Sequence, residues 1–196
     1  QVTFMGENLV HETFVYYLLN KPAGVISATE DDHHQTVLDL LDETARHKEV
    51  FPVGRLDIDT HGLLFLTNNG KLAHAMLSPK KHVDKVYRAH VAGIMTQEDV
   101  VRFKAGIELK DFTTLPAELE ILELDPEAKT CLVQIRIAEG KFHQVKRMVA
   151  SCGKEVVDLE RISMGPLSLD PALELGEWRR LNLSELASLE VFGVPL

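Results

Sequence analysis

The chain has 196 residues, of which 45% are hydrophobic and 26% charged, and its formal net charge is −9. These proportions are ordinary for a globular protein, and the length suffices for one sizeable domain with a small appendage. Because no run of about 18 apolar residues occurs, we expect no membrane span. The two cysteines, Cys131 and Cys152, form no Cys-x-x-Cys pair. We therefore expect neither a disulfide framework nor a zinc knuckle, and a reducing cytoplasm as the location.

Strand and helix signals alternate along the chain. In order, the pattern predicts a strand at 14–20, a return strand at 24–27, a helix at 36–41, a strand at 62–67, a helix at 71–77, a strand at 85–92 and a helix at 96–104. It continues with strands at 118–124 and 130–138, a helix at 143–151, a strand at 155–162 and a helix at 184–189. The acidic stretch that ends at Phe51-Pro52 is predicted to be irregular.

This alternation, with short turns between the elements, predicts an α+β fold. We expect a largely antiparallel mixed sheet flanked by helices. The strands at 118–124 and 130–138 are expected to form a hairpin across Asp125-Pro126.

Positive charge is concentrated in two stretches of this acidic chain. Residues 71–90 hold five Lys and Arg against one acid, and residues 136–161 hold six against four. Two such stretches bind a phosphate backbone when the fold brings them to one face. Charge alone favours a simpler interpretation, in which both stretches are ordinary solvated surface.

The loop from Gly54 to Gly62 has the highest density of chemically useful residues. It holds Arg55, Asp57 and Asp59, and a buried strand follows. Loops on rigid strands often carry catalytic groups, although a surface turn with solvated aspartates is the alternative.

A phosphatase of the haloacid dehalogenase type is a second alternative, because there an aspartate in an Asp-x-Asp loop attacks phosphate beside magnesium. That pattern needs an apolar strand directly before the first aspartate, and a hydroxyl residue two places after the second. Here Gly54-Arg55 precedes the pair and Thr60 follows Asp59 directly, so the pattern disfavours a phosphatase.

Four motifs occur in order between residue 16 and about residue 181. They are Asn20-Lys21-Pro22-Ala23-Gly24-Val25, Gly54-Arg55-Leu56-Asp57 with Thr60 and Gly62, Lys85-x-Tyr87, and Glu139-Gly140-Lys141-Phe142-His143-Gln144-Val145-Lys146-Arg147-Met148. Together they resemble the pseudouridine synthases of the ribosomal small subunit pseudouridine synthase A group. Asn69 and Phe142 depart from the pattern, because similar enzymes often carry an acid and a tyrosine there.

The resemblance implies that the protein isomerises a specific uridine of small-subunit (16S) ribosomal RNA to pseudouridine. The uridine is flipped out of the RNA, its glycosidic bond is broken, and the turned base rejoins the ribose through carbon 5. No cofactor and no metal are expected, and the protein is expected to be a monomer. Two alternatives stay open: the same chemistry on large-subunit ribosomal RNA, and a ribosome-binding module without catalytic activity.

The resemblance also assigns catalytic roles. Asp57 matches the catalytic aspartate, acting as nucleophile or base, and Lys146 the cation that keeps it ionised, with Lys141 as second choice. Tyr87 matches a tyrosine that stacks on the uracil and assists proton removal from carbon 5.

The remaining motif residues are expected to hold the substrate or the loop. Substrate contacts are expected from Arg55, Ile137, Lys141 and Arg147. Structural roles are expected for Lys21, Pro22, Gly24, Gly54 and Gly62. The histidines outside these motifs show no ligand-like spacing, so we expect them at the surface or near phosphate; they are His33, His34, His74, His82 and His90.

The start of the chain suggests a further domain. Enzymes similar to this one usually carry a small basic RNA-binding domain of the ribosomal-protein-S4 type before the catalytic part. No Lys or Arg precedes Lys21, and the chain begins at Gln1. We therefore expect residues 1–12 to be a remnant of, or linker from, such a domain, and residues 13–196 to be the catalytic domain.

Overall fold

A mixed sheet forms the centre of the protein in the computed structural model, which describes residues 2–4, 7–9 and 13–196. Its strands are β3 (Tyr16–Lys21), β4 (Phe51–Pro52), β5 (His61–Thr67), β6 (Lys85–Ala92), β7 (Glu118–Asp125), β8 (Thr130–Ile137), β9 (Glu155–Met164), β10 (Leu167–Ser168) and β11 (Trp178–Arg180). The order across the sheet is β11-β3-β5-β9-β6-β8-β7, with β4 beside β5 and β10 beside β9. Near the start of the chain, β1 (Val2–Phe4) and β2 (Glu7–Leu9) pair antiparallel.

Among the described strands, all pairings are antiparallel except one. Strands β5 and β9 run parallel, and they pair only through His61 with Glu160 and Gly62 with Arg161. Their backbones approach so closely that a Cβ on Gly62 would lie 2.3 Å from the Arg161 carbonyl oxygen, and Gly62 has a φ of +108°. Glycine is therefore required at this junction. The predicted α+β class with a largely antiparallel mixed sheet is confirmed.

Helices cover both faces of the sheet. They are α1 (Glu43–His47), α2 (Gly70–Leu77), α3 (Gln97–Ala105), α4 (Gln144–Ser151) and α5 (Leu183–Ser188), with short 3₁₀ helices at Val37–Leu40, Pro79–Lys81 and Leu189–Phe192. Helices α1, α3 and α4 pack on one apolar core, and α2 packs on the other with the C-terminal segment. Strands β3 and β5 lie between the two cores and are buried on both faces, which explains their continuous apolar runs.

Asn69, one of the two departures from the family pattern, caps helix α2. Its side chain accepts a hydrogen bond from the Leu72 amide, and its amide nitrogen donates to the Tyr16 hydroxyl at 3.2 Å and the Pro195 carbonyl at 2.9 Å. Asparagine satisfies these partners because its side chain both donates and accepts.

Most predicted elements lie within two residues of their observed positions, including the hairpin of β7 and β8. The predicted return strand at 24–27 is wrong. Only Ile26 forms an isolated bridge, to Thr36, because the turn at Gly24 directs the chain towards the Asp57 loop, where the Gly24 amide donates to the Ile58 carbonyl at 2.7 Å.

Helix α1 lies in the stretch predicted to be irregular. Its N-cap is Asp42, whose side chain accepts a hydrogen bond from the Ala45 amide. The short strands β4, β10 and β11 were not predicted. The 3₁₀ helix at Val37–Leu40 occupies the position of the predicted helix at 36–41.

The expected domain remnant at residues 1–12 lies outside the described residues, apart from the backbone of β1 and β2. Within the described part of the chain, no helix combines the length and the apolar character needed to cross a bilayer.

Candidate active site

Lys21 anchors the backbone of the Asp57 loop. It ends strand β3 and its side chain is fully buried. Its ammonium donates to the carbonyl oxygens of Thr60 at 2.7 Å, Asp57 at 3.2 Å and Ile58 at 3.3 Å, and of Pro22 at 3.0 Å. One cation thus holds the turn of the first motif and the loop of the second together.

Burial lowers the pKa of Lys21 to about 8. The negative charges of Asp59 and Asp57 oppose this change, and the positive charge of Lys146 adds to it. A buried ammonium that donates to several carbonyl oxygens holds together the backbone segments that carry them.

Ser27 provides a second tie to the loop. Its hydroxyl donates to the Leu56 carbonyl and accepts from the Leu56 amide, both at 3.1 Å. With Lys21 on one side and Ser27 on the other, the loop presents Asp57 from a fixed backbone.

The carboxylate of Asp57 contacts two basic side chains of the fourth motif. Lys146, in α4, places its ammonium 2.9 Å from Asp57 Oδ2, and His143 places Nε2 3.3 Å from Asp57 Oδ1. The Asp57 side chain is 27% exposed, so it is reachable but partly shielded from water. The lysine thus forms an ion pair that fixes the position of the carboxylate.

Asp59 shares the same lysine, at 2.7 Å from its Oδ1. Burial lowers the pKa of Lys146, but hydrogen bonds to Asp59 and Asp57 outweigh it, so that the pKa of Lys146 is raised overall. The hydrogen bond from Lys146 also lowers the pKa of Asp59.

His143 was not selected from the sequence as a site residue. It adopts a left-handed conformation, with φ of 49°, directly before α4, and its ring stacks on exposed Phe142 at 3.7 Å between centroids. The available signal was its place inside the fourth motif, three residues before Lys146.

Asp57 and Lys146 line a pocket of about 370 Å³ together with Tyr87 and Ile137. Tyr87 in β6 and Ile137 at the end of β8 are buried, with exposed fractions of 9% and 3%. They form an aromatic and apolar wall of the pocket. The volume lies in the range of small-molecule sites.

The pocket also contains two basic residues that the sequence analysis did not select, Lys85 and Arg161. Arg161 stands two residues after Leu159 in β9, where the alternation of the strand predicts an apolar residue. The sequence signal for Arg161 was therefore a basic residue at a position of β9 where the alternation predicts a buried apolar side chain.

The other predicted substrate contacts differ in position. Arg55 lines the pocket and is exposed. Lys141 also lines it, but its ammonium lies 5.8 Å from the centre of the Phe112 ring and makes no ion pair with Asp57 among the described residues. Arg147 does not line the pocket, because its guanidinium is hydrogen-bonded to Asp111.

The turn glycines take conformations that other residues rarely adopt. Gly24 has a φ of +90° and Gly54 a φ of +78°. A Cβ on Gly54 would also lie 3.3 Å from a methyl group of Leu77. Both positions therefore favour glycine.

The two basic stretches of the sequence meet at this pocket. Residues 71–90 contribute His82 and Lys85, and residues 136–161 contribute Lys141, Lys146 and Arg161. Positive charge is therefore collected around Asp57 although the chain is acidic overall. Among the described residues, no group of three or more His, Cys, Asp and Glu side chains is arranged to hold a metal ion.

The sequence matches the family described as RNA pseudouridylate synthase over residues 15–151. An uncharacterized RNA pseudouridine synthase of Bacillus subtilis, YtzG, is 48% identical over 187 residues, 95% of this chain and 77% of the relative. Ribosomal small subunit pseudouridine synthase A of Vibrio cholerae is 42% identical over 190 residues, 96% and 79% of the two chains. Ribosomal large subunit pseudouridine synthase B of Bacillus subtilis is 39% identical over 193 residues, 98% and 78%.

The fold has a similar counterpart among solved structures. The crystal structure of a pseudouridylate synthase superposes with a TM-score of 0.81 at 36% sequence identity, over 93% of this chain and 76% of that chain.

Proposed function

The chain belongs to the RNA pseudouridylate synthase family and is an isomerase that acts on RNA, and we propose that its substrate is a uridine of small-subunit ribosomal RNA. The observation that carries the proposal is the contact of Lys146 with both Asp57 and Asp59. This contact joins the second motif to the fourth, two of the motifs on which the resemblance to the small-subunit enzymes rests.

Asp57 performs the central step in this proposal. The C1′–N1 bond breaks with Asp57 acting as nucleophile or base, the uracil turns, and a C1′–C5 bond forms before the C5 proton leaves. Lys146 keeps the carboxylate ionised although RNA phosphates approach it. The uridine must leave the RNA stack to enter the pocket, because a paired base cannot reach a carboxylate at this depth.

Tyr87 and Ile137 hold the flipped base. The ring of Tyr87 offers a face for stacking, and Ile137 supplies apolar contact. The hydroxyl of Tyr87 then assists removal of the C5 proton.

The surface around the pocket receives the RNA. Arg55 and the exposed residues Lys80 and Lys81 stand beside or close to it, and such side chains neutralise phosphates without reading sequence. We propose that recognition of the ribosomal RNA depends on its shape and on splayed bases, because the net charge of −9 gives little non-specific attraction.

Large-subunit ribosomal RNA is the second candidate substrate. It is favoured by the similarity to a large-subunit enzyme, which at 39% identity nearly equals that to the small-subunit enzyme. The reaction is the same isomerisation in both cases.

Mapping pseudouridines in both ribosomal RNAs distinguishes the candidates. Cells that lack the gene should lose one pseudouridine of small-subunit RNA, and wild type should restore it whereas Asp57→Asn should not. Loss of a large-subunit pseudouridine instead would overturn the proposed substrate. Tritium release from carbon 5 of labelled uracil in the mapped RNA, with purified protein, tests the chemistry directly.

A further inference from the structure

Arg161 is a buried cation in the pocket. Its side chain is 2% exposed, Nε donates to the Leu63 carbonyl at 3.0 Å, and the buried Nη2 has no hydrogen-bond partner among residues 13–196. Buried polar groups normally have such partners, and an unpaired donor on a charged group is especially unfavourable. A donor left free in a ligand pocket points to a ligand acceptor.

Lys85 is a second cation beside it. The pKa of Lys85 is lowered by burial and by the positive charge of Arg161, which places the two groups within electrostatic reach of each other. Its ammonium donates to the Glu139 carbonyl at 3.3 Å. Neither cation forms an ion pair with a carboxylate among residues 13–196, unlike Lys146, which contacts both Asp57 and Asp59. Among the pocket cations that are not exposed, Lys146 is thus paired with carboxylates in the described part of the chain, whereas Lys85 and Arg161 are not.

The sheet places these cations along the wall that holds the base. Arg161 in β9 is the register partner of Tyr87 in β6, and Lys85, two residues before Tyr87, is the partner of Ile137 in β8. Residues two apart in a strand share a face, and all four line the pocket. A base stacked on Tyr87 therefore lies next to Arg161.

The reaction creates negative charge on that base. When the C1′–N1 bond breaks, its electron pair stays on the uracil and is delocalised over N1, O2 and O4. When the C1′–C5 bond forms, an electron pair of the ring is used, C5 loses its proton, and N1 gains one. The detached uracil thus carries one negative charge during its rotation.

We propose that Arg161, assisted by Lys85, binds a carbonyl oxygen of the flipped uracil and stabilises the negative charge that develops there during cleavage. This inference rests on the proposed function, in which the pocket accepts uridine for isomerisation. Fixed donors in a site that excludes water act strongly on developing charge, because they need no reorganisation during the step. Arg161 therefore binds the negatively charged, detached uracil more strongly than the neutral uracil of the intact uridine.

A phosphate of the flipped nucleotide is a less suitable partner for Arg161. Phosphates stay on the RNA backbone at the mouth of the pocket, where exposed Arg55 lies. Arg161 lines the same pocket but is only 2% exposed, so it lies away from the exposed rim on which Arg55 stands.

Single-turnover kinetics with thio-substituted substrates test the proposal. The substrate is a short RNA that carries the mapped uridine, with uridine, 2-thiouridine or 4-thiouridine at that position, because a thiocarbonyl accepts hydrogen bonds more weakly. The variants are Arg161→Gln, which retains a donor for Leu63, and Arg161→Lys, which retains the charge. Arg88→Gln is the matched control, because Arg88 is exposed in β6 and does not line the pocket.

Arg161→Gln should lower the rate on uridine by about 10²–10³-fold, as expected for loss of a preorganised donor to developing charge. RNA affinity and the unfolding midpoint should change little. One of the two thio-substitutions, at the carbonyl that Arg161 binds, should slow wild type and Arg88→Gln by at least about tenfold. The same substitution should leave the rate of Arg161→Gln nearly unchanged, because that variant has already lost the contact with this carbonyl.

A wild-type rate in Arg161→Gln, or independent losses for both thio-substitutions, would overturn the inference. If Arg161→Gln does not fold, the same comparison is made with Arg161→Lys. This variant should lose less of the rate on uridine, and the thio-substitution at the same carbonyl should slow it less than it slows wild type. Activity of wild type only on large-subunit RNA would overturn the proposed substrate and leave this comparison intact. Absence of any isomerisation would overturn both proposals.

Discussion

Lys146 Nζ lies 2.9 Å from Asp57 Oδ2 and 2.7 Å from Asp59 Oδ1, so one lysine of α4 holds two carboxylates of the same loop. The two aspartates differ in exposure, with 27% for the side chain of Asp57 and 70% for that of Asp59. Only Asp57 also contacts His143 and lines the pocket. The two aspartates that share the lysine thus differ in their access to the pocket and to solvent.

Asp57→Asn should abolish isomerisation and leave RNA affinity nearly unchanged, because the negative charge of Asp57 performs chemistry and does not attract phosphate. Tritium release should fall at least about 100-fold, as for loss of a nucleophile or base. Asp59→Asn is the matched control, and its effect should be much milder. Residual turnover of Asp57→Asn above one-hundredth of wild type would reject the role of Asp57.

Lys146→Met should reduce the single-turnover rate severely, by about 10²–10³-fold, because the ion pair that holds the Asp57 carboxylate in place is lost. Lys146→Arg should retain part of the rate, since the charge remains. Lys141→Met should have a small effect, because Lys141 lies near Phe112. If Lys146→Met is fully active while Lys141→Met is impaired, the two lysines have been assigned wrongly.

Tyr87→Phe should bind RNA normally, because the ring that stacks on the base is retained. The hydroxyl is lost, so the step that removes the C5 proton should slow, and tritium release reports that step. Unfolding in urea should be almost unchanged, since the ring stays packed in its buried position. Tritium release at the wild-type rate would show that the hydroxyl has no part in the reaction.

Activity should survive saturating EDTA, because the proposed chemistry uses only protein groups. Tritium release is measured before and after chelation, with the RNA folded beforehand in monovalent salt, since magnesium also folds RNA. Loss of turnover that added magnesium or zinc restores, with the RNA fold unchanged, would contradict the cofactor-free mechanism.

Lys21 should give the protein an unusual stability gain in alkali. Its pKa is lowered by burial to about 8, from an ordinary value of 10.5. Between these values the folded chain has released this proton and the unfolded chain still holds it, so the contribution of Lys21 to the free energy of unfolding rises with pH. The rise is on the order of 3 kcal/mol at most.

Urea unfolding of wild type and Lys21→Met from pH 7.5 to 10.5 measures this contribution, because other titrating groups cancel in the difference. The free energy of unfolding of wild type minus that of Lys21→Met should increase as pH rises. Lys71→Met, at an exposed position, controls for removal of a lysine. A difference that is constant or falls with pH would mean that burial does not lower the pKa of Lys21.

Local patterns alone determined much of this protein. Apolar alternation and cap residues located most elements to within two residues, because strand pleat and helix pitch act over a few neighbours. The order and content of four motifs identified the family and selected Asp57, because such motifs are recognised without knowledge of the fold. Helix α1 has only five residues and one buried apolar side chain, so its apolar pattern was too short to detect. The short strand β11 depends on pairing with β3, more than 150 residues away in the chain.

Tertiary structure decided which side chains meet. Lys141 and Lys146 lie in one motif, and only the placement of α4 brings Lys146 rather than Lys141 to Asp57, 89 residues away. The role of Arg161 depends on the two-residue parallel junction of β5 and β9, where Gly62 permits the close approach. Such contacts join distant segments, and their electrostatic effect depends on burial that only the folded chain produces.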